Sequence, residues 1–321
     1  MRALVTRRRD DGVREKVLVT DWPDPGPPSG NLVRTKTFFS GITNGTEAND
    51  LVGGNYARPD ERLPAGFGYQ NVGRVIEVGP DVRELKVGQI LFMSRDHMEF
   101  CLLPEDGLCI RLLDHVDKTH AALFGMASVA MRACRRANLR MGDRLLIVGA
   151  GFIGQIAAQI AAATAVRVTL SDLDEHRLAI ARRIGAAEEV FNVEGEGWQR
   201  HIKDGTFEAV LDVAGAAGME NRLIPAVTHE GAVILVAGRF NVEYNHMIGQ
   251  RVEVTIKQTG HFTNLDLANV CRLVARGVVQ IAPLLRAVVP VWEADAIYNT
   301  LRDKPNQLLG TVFDWRSPPK C

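Results

Sequence analysis

"LLIVGAGFIGQIAAQIAAATAV", residues 145–166, is the stretch on which the fold turns. It is apolar enough to pass for a membrane span, yet three glycines and two glutamines interrupt it. Its periodicity also changes partway along, from a continuous apolar run to helical spacing. A short buried strand, a tight turn and a buried helix account for both features. At the turn, "VGAGFIG" sets Gly149, Gly151 and Gly154 at G-x-G-x-x-G spacing. In such a loop the first glycine allows the turn, the second lets a pyrophosphate approach the backbone, and the third lets helix and strand touch. The helix start, at Phe152 and Ile153, then offers unpaired N–H groups and a positive dipole end to phosphate. Helix–strand packing alone also uses glycines, so the loop needs a second signal.

That signal lies in the next strand. "VRVTLSD" ends in Asp172, 23 positions after Gly149, where a carboxylate accepts both ribose hydroxyls of an adenosine and repels a 2′-phosphate. No arginine follows it directly; Arg177 comes five residues on. The combination points to NAD as cofactor rather than NADP. Asp172 has a second possible use as a helix cap, a role that Asp174 fills equally well. Further along, "DEHRLAIARRIGA" is a helix ended by Gly185, and "EAVLDVAG", "GAVILVAG" and "VEVTIKQTG" are buried-strand candidates. Such alternation builds a parallel sheet covered by helices, the doubly wound α/β arrangement of Rossmann domains. Ala214-Gly215 and Ala237-Gly238 fall at two C-terminal strand ends, where ligands of open sheets collect. Their small side chains leave backbone groups available to the nicotinamide ribose and carboxamide; simple turns use the same residues.

The flanking regions have a different texture. Up to about residue 125, "ALVT", "VLVTDW", "NLVRTKTFFSGI", "NVGRVIEVGP" and "EFCLLPE" read as short strands separated by Pro- and Gly-rich turns. "THAALFGMASVAMRACRRANL" has helical spacing, with Asp117 or Thr119 as cap. Beyond it, "LDLANVCRLVARGVV" is a helix and "GTVFDW" a strand returning to the first domain. The expected organisation is therefore a β-rich domain at 1–125, a dinucleotide-binding domain at 126–262, and a returning segment at 263–321. A formal net charge of zero and a pI near 7.1 offer nothing to nucleic acid or acidic membranes. Five cysteines without a C-x-x-C pair suit a reducing cytoplasm, and the N-terminus lacks an apolar signal core.

With "GFGYQNVGRVIEVGPDVRELKVGQIL" (66–91) and "GAGFIGQIAAQIA", the chain resembles the medium-chain dehydrogenase/reductase superfamily along nearly its full length. The resemblance implies a GroES-like N-terminal domain completed by the C-terminal segment, and a homodimer. Zinc members of that superfamily carry a cysteine in a G-[IV]-C segment, a G-H-E triplet and a third ligand at the start of the domain-linking helix. Here "SGITNGTE" puts Thr43 or Asn44 at the first place, Gly68-Tyr69-Gln70 replaces the triplet, and "LFGMAS" offers Met126. An alcohol, an amide, a phenol and a thioether make no zinc set. The structural zinc lobe is missing too: "FMSRDHMEFCLLP" holds only His97 and Cys101. The "SGI..GTE" pattern is similar to a zinc-lacking branch that includes enzymes resembling bacteriochlorophyllide dehydrogenase and sugar or polyol oxidoreductases.

Without a metal, a side chain must move the proton that accompanies hydride transfer. Tyr69, at a former ligand place, is the first candidate; a packed tyrosine is the alternative. Thr46 and Glu47 match the superfamily's G-T-D positions, Thr46 as a relay and Glu47 as proton carrier or buried structural acceptor. His97 and His120 are alternative carriers, and His261 in "KQTGHF" is a candidate for the substrate pocket. The expectation is a cytoplasmic, zinc-independent, NAD(H)-linked alcohol dehydrogenase or ketone reductase acting on a polyol, sugar or similar small molecule. Two rivals stand beside it. One is an NAD(P)H-dependent quinone or enone reductase, which Asp172 disfavours; the other is a non-catalytic NAD-binding protein.

Overall fold

The computed structural model describes residues 1–304 and 308–318, so Cys321 lies outside the described residues. The chain divides into two compact units, Met1–Gly125 with Leu285–Cys321, and Met126–Leu284.

The second unit is built on six parallel strands: Arg144–Val148, Arg167–Asp172, Glu189–Asn192, Phe207–Asp212, Val227–Leu235 and Thr255–Gln258. Numbered along the unit, they lie in the order 3-2-1-4-5-6. Arg144–Val148 is central and nearly all buried, which is why "LLIV" has no polar alternation. Strand order reverses beside it, so the sheet's switch point lies at the C-terminal ends of Arg144–Val148 and Phe207–Asp212. The helix Phe152–Ala162 follows the first strand, and Glu175–Ile184 follows the second, capped by Asp174 and ended by Gly185 at φ 70°.

Three details depart from the expected pattern. Glu189–Asn192 is a sixth strand with too few apolar residues to announce itself; its pairing with Thr169–Asp172 gives it its place. The front of "VEVTIKQTG" belongs to the helix His246–Val252, so the strand starts at Thr255. The return to the first unit begins at Leu285 rather than 263. The reason is a pair of polar ties. Asp266, in the helix Asn264–Ala275, meets Arg135 at 2.6 Å, and Gln159 exchanges hydrogen bonds of 3.2 and 2.7 Å with the backbone of Gln280.

In the first unit a seven-stranded sheet is organised around Leu32–Gly41, which pairs antiparallel with Asn71–Val78, Phe100–Pro104 and Thr311–Asp314. Ala3–Arg8, Arg14–Val19 and Ala65–Gly66 form a smaller sheet. Thr311–Asp314 is the strand read in "GTVFDW". Behind these sheets Leu4, Ile42, Phe67, Tyr298, Phe313 and Trp315 share one core, closed by a Trp315 Nε1 hydrogen bond to Ser40 Oγ. Residues from both ends of the chain therefore bury one another.

Two local readings need correction. "TNGTEANDL" is a helix, Asn44–Leu51, where turns were expected. Gly45 hides it in sequence, while Glu47 starts it by accepting the Thr43 amide at 2.7 Å. The segment from Thr119 is two helices, Lys118–Ala121 capped by Asp117, and Phe124–Ala137. Among the described residues no helix is long and apolar enough to cross a membrane. Residues 145–166 fold as strand, turn and helix.

Candidate active site

The glycine loop joins Arg144–Val148 to Phe152–Ala162. Gly149 sits at φ 110°, and a Cβ on Gly154 would stand 1.9 Å from the Gly149 carbonyl oxygen. Only a glycine at 154 lets helix and turn meet. Nothing lies within 4 Å of a Cβ placed on Gly151, so that face of the loop is open, at the helix end whose first amides lack intrahelical partners. The loop is braced by Gln155, whose Nε2 donates to Ala150 O at 2.8 Å. A glutamine early in an otherwise apolar helix is the sequence signal for that brace.

Asp172 closes the loop from below. Its Oδ2 accepts from Ala150 N at 2.6 Å, and its Oδ1 accepts from Leu173 N and Asp174 N at 2.7 and 2.9 Å. Arg177 Nη1 stands 3.7 Å from Oδ2. Three amides thus fill three of the carboxylate's roughly four acceptor positions. Capping falls to Asp174, whose side chain accepts from His176 N and Arg177 N.

At the other strand ends the amides of Ala214 and Gly215 both donate to Asp212 Oδ1, at 3.1 and 2.9 Å, so the backbone groups they leave to a ligand are carbonyls. Asp212 is fully buried and also binds Arg239, which reaches Glu220 as well. An aspartate at a strand end before small residues makes its own turn. Ala237 donates its amide to the Asp212 carbonyl at 3.2 Å, and Gly238 follows it in the exit loop. His261 is an exposed residue at φ 34° whose ring stacks on Phe262 at 4.2 Å; partial desolvation holds its pKa below the usual histidine value.

The first unit gathers the other candidates. The Tyr69 hydroxyl lies near Thr43 and Thr46. Burial pushes its pKa above the ordinary tyrosine range and the Glu47 charge adds to this, while the two threonine hydroxyls oppose it. Gln70 is fully buried and donates from Nε2 to Gly41 O at 3.3 Å and to Thr43 Oγ1 at 3.1 Å. Asn44 turns its amide to Leu308 O at 2.5 Å.

Glu47 is fully engaged by the protein. Its Oε1 accepts from Thr43 N and faces His97 Nε2 at 3.3 Å; its Oε2 accepts from Tyr298 Oη at 2.7 Å. This is the structural-acceptor arrangement. His97 is fully buried, and its place depends on Gly68 at φ 98°, where a Cβ would lie 2.4 Å from the imidazole. Nearby, Lys16 is buried with Asp50 and lies 3.6 Å over the Phe67 ring. Nothing in local sequence marked Lys16, because a strand lysine usually faces solvent. His120 stays in the short helix Lys118–Ala121, its amide on Asp117.

The would-be ligand places offer zinc little. Thr43, Asn44 and Gln70 are committed to neutral partners, and Tyr69 stays a protonated phenol at neutral pH. Met126 is a buried thioether in Phe124–Ala137. Zinc takes thiolate, imidazole and carboxylate, so these residues do not fit it. Among the described residues, one group of three such side chains is close enough to share an ion: His229, Glu230 and Glu253, exposed on the second unit.

Comparison with known proteins agrees with this architecture. Residues 153–275 match the family "Zinc-binding dehydrogenase". Sorbitol dehydrogenase of Bos taurus is 26% identical over 318 residues, covering 87% of each chain. L-threonine 3-dehydrogenase of Saccharopolyspora erythraea is 26% identical over 285 residues, covering 77% of this chain and 81% of its own. A solved alcohol dehydrogenase from Escherichia coli CFT073, complexed with NADH, superposes with a TM-score of 0.82 at 15% identity, covering 98% of this chain and 99% of that one. In its parallel sheet of 3-2-1-4-5-6 order, its glycine loop and these matches along most of its length, the chain is similar to the zinc-binding dehydrogenases and to the sorbitol and L-threonine dehydrogenases.

Proposed function

We propose that this chain is an NAD(H)-linked oxidoreductase that interconverts a secondary alcohol and a ketone on a polyol or sugar-like molecule, with Tyr69 in the place of a catalytic zinc. The observation that carries this reading is the group of hydroxyls Tyr69, Thr43 and Thr46, of which Tyr69 and Thr43 stand where the resemblance puts metal ligands and Thr46 at its G-T-D threonine. Similarity to sorbitol and threonine dehydrogenases supports the substrate class.

Gly149, Gly151 and Gly154, the start of Phe152–Ala162 and Asp172 would hold a dinucleotide, whose nicotinamide would provide hydride chemistry. The chain's own residues handle the proton. Tyr69 keeps its proton at neutral pH because burial disfavours the phenolate. In ketone reduction the Tyr69 O–H bond breaks and an O–H bond forms on the substrate oxygen, a contribution of about 10²–10⁴-fold in general acid catalysis. Thr43 and Thr46 receive the developing negative charge on the phenol oxygen. Asp172 favours a free ribose hydroxyl over a 2′-phosphate, which is the basis for NAD over NADP. We extend the reading to a homodimer, on the resemblance, and to a reducing cytoplasm, since the four described cysteines are thiols.

The test is NADH formation by purified protein over a panel of sorbitol, galactitol, 2,3-butanediol and threonine, with and without a chelator. The expected result is turnover of a panel alcohol, unchanged by chelation, from protein holding far less than one zinc per subunit. Stoichiometric zinc that leaves together with activity overturns it.

A further inference from the structure

We infer that Asp212, Glu220 and Arg239 form a buried cluster, one negative charge in excess, that favours the cationic, oxidised nicotinamide over the neutral, reduced one. The inference rests on the NAD(H) reading of the glycine loop, and names the residues that set the balance between the two forms of that cofactor.

Three segments of the second unit build the cluster. Asp212 ends the strand Phe207–Asp212, Glu220 opens the helix Glu220–Ala226, and Arg239 lies in the loop after Val227–Leu235. Arg239 Nη2 donates to Asp212 Oδ2 at 2.5 Å, and Nη1 donates to Glu220 Oε1 at 2.7 Å. Asp212 Oδ1 accepts the Ala214 and Gly215 amides as well. All of these partners are N–H donors, which suits ionised carboxylates. Asp212 is 0% exposed and Glu220 4%, so water and salt screen them weakly. Arg222, the cation two residues along the same helix, is spent on the Trp198 ring, 5.0 Å away. One guanidinium therefore stands against two buried carboxylates.

Holding the turn does not call for that excess. Asp212 by itself pairs with Arg239 and takes both amides. Glu220 adds a second buried charge to a cation already matched, and burying a charge is costly unless something repays it.

The position of the cluster indicates what does. A dinucleotide lies across both halves of such a sheet. Asp172 ends a strand of the first half, where the adenosine ribose would sit, so the nicotinamide half falls to the strands ending in Asp212, Leu235 and Gln258. The turn after Asp212 borders the glycine loop: a Cβ on Gly149 would stand 3.1 Å from Ala214 N. A Cβ on Gly215 would stand 2.6 Å from Ala237 Cβ and 3.8 Å from Arg239 Nη2. The cluster thus sits at two neighbouring strand ends of the nicotinamide half.

The oxidised ring carries a positive charge that it loses on taking up hydride. A buried negative charge nearby attracts the first form and is indifferent to the second. Between turnovers of alcohol oxidation, such a site favours uptake of NAD⁺ over retention of NADH. One unit charge acting over about 10 Å, at an effective dielectric near 20, is worth roughly tenfold in a binding constant.

The experiment is isothermal titration of the full-length protein with NAD⁺ and with NADH, read as the ratio of the two Kd values. Glu220→Gln removes the charge and keeps an oxygen for Arg239. It should weaken NAD⁺ by roughly tenfold and leave NADH nearly unchanged. Glu220→Asp keeps the charge and should keep the ratio, whatever it does to both affinities together. Glu220→Met removes the same charge by a second route should Glu220→Gln fold poorly. Equal losses of NAD⁺ and NADH in the uncharged variants, or no change in either, make the cluster a structural staple and overturn the inference. A ratio moved as far by Glu220→Asp as by Glu220→Gln also overturns it. Unmutated protein that binds neither NAD⁺ nor NADH removes the NAD(H) reading, and this inference with it. Binding of both with a ratio indifferent to the charge removes the inference alone.

Discussion

The glycine loop at 149–154 and the Tyr69 cluster solve opposite problems. The loop works through what it lacks. A single added carbon at Gly154 meets the Gly149 carbonyl oxygen 1.9 Å away. The cluster works through what it holds: Thr43, Tyr69 and Gln70 from two segments, braced by Glu47, His97 and Tyr298 from three. One site is backbone shape set by neighbours in sequence. The other is a set of hydrogen-bond directions set by neighbours in space. Backbone sites should therefore fail through cofactor affinity, and side-chain sites through turnover.

The sharpest way to break that comparison is Gly154→Val. Forcing a branched side chain into the gap should part helix from turn, at a cost of about 3 kcal/mol or more, and weaken NADH binding by roughly 10³-fold. Fluorescence titration with NADH and a thermal melt check both. Near-normal NADH affinity in this variant would show that the loop tolerates what the geometry forbids.

Next in size is Tyr69→Phe, which keeps the ring and removes the proton carrier. It should lower kcat by roughly 10²-fold or more, with NADH affinity and Tm nearly unchanged. A loss of NADH affinity of similar size would erase the division between the two sites.

The pH profile tests the same phenol without mutation. Its pKa is raised above the ordinary value of about 10, chiefly by burial, so it is protonated throughout neutral pH. Ketone reduction, which needs the proton present, should stay flat across that range. Alcohol oxidation needs the proton absent and should rise with pH, by up to about tenfold per unit while the deprotonated fraction is small. Oxidation that levels off below about pH 8 would assign the proton to another group.

The smallest expected effect is at Asp172. Asp172→Ala should narrow the preference for NAD over NADP, chiefly by weakening NAD by roughly tenfold, since the carboxylate acceptor for ribose is lost. Isothermal titration with both cofactors measures it. Tighter NADPH than NADH binding in the unmutated protein would reverse the assignment.

How much was legible follows the same division. The strand–turn–helix at 145–166, the carboxylate at Asp172 and the stop at Gly185 were readable because each depends on residues a few positions apart. The helix Asn44–Leu51 was not, since Gly45 argues against it and the brace on Glu47 comes from Tyr298. That the Ala214 and Gly215 amides turn back to Asp212 was not legible, because Asp212 reads as an ordinary strand end.

By itself the sequence determined the glycine loop, the alternation that builds its sheet, and the presence of Thr43, Tyr69 and Met126 at the places where the resemblance puts metal ligands. These are matters of residue identity and short-range spacing, and local sterics enforce them. Only the tertiary structure decided that His97 is a buried partner of Glu47, that Lys16 lies beneath Phe67, and that Gln70 points its amide at Thr43. A hydrogen bond's direction depends on which donors and acceptors surround both partners, and those, such as the Tyr298 hydroxyl and the Gly41 carbonyl, arrive from segments far apart in the chain.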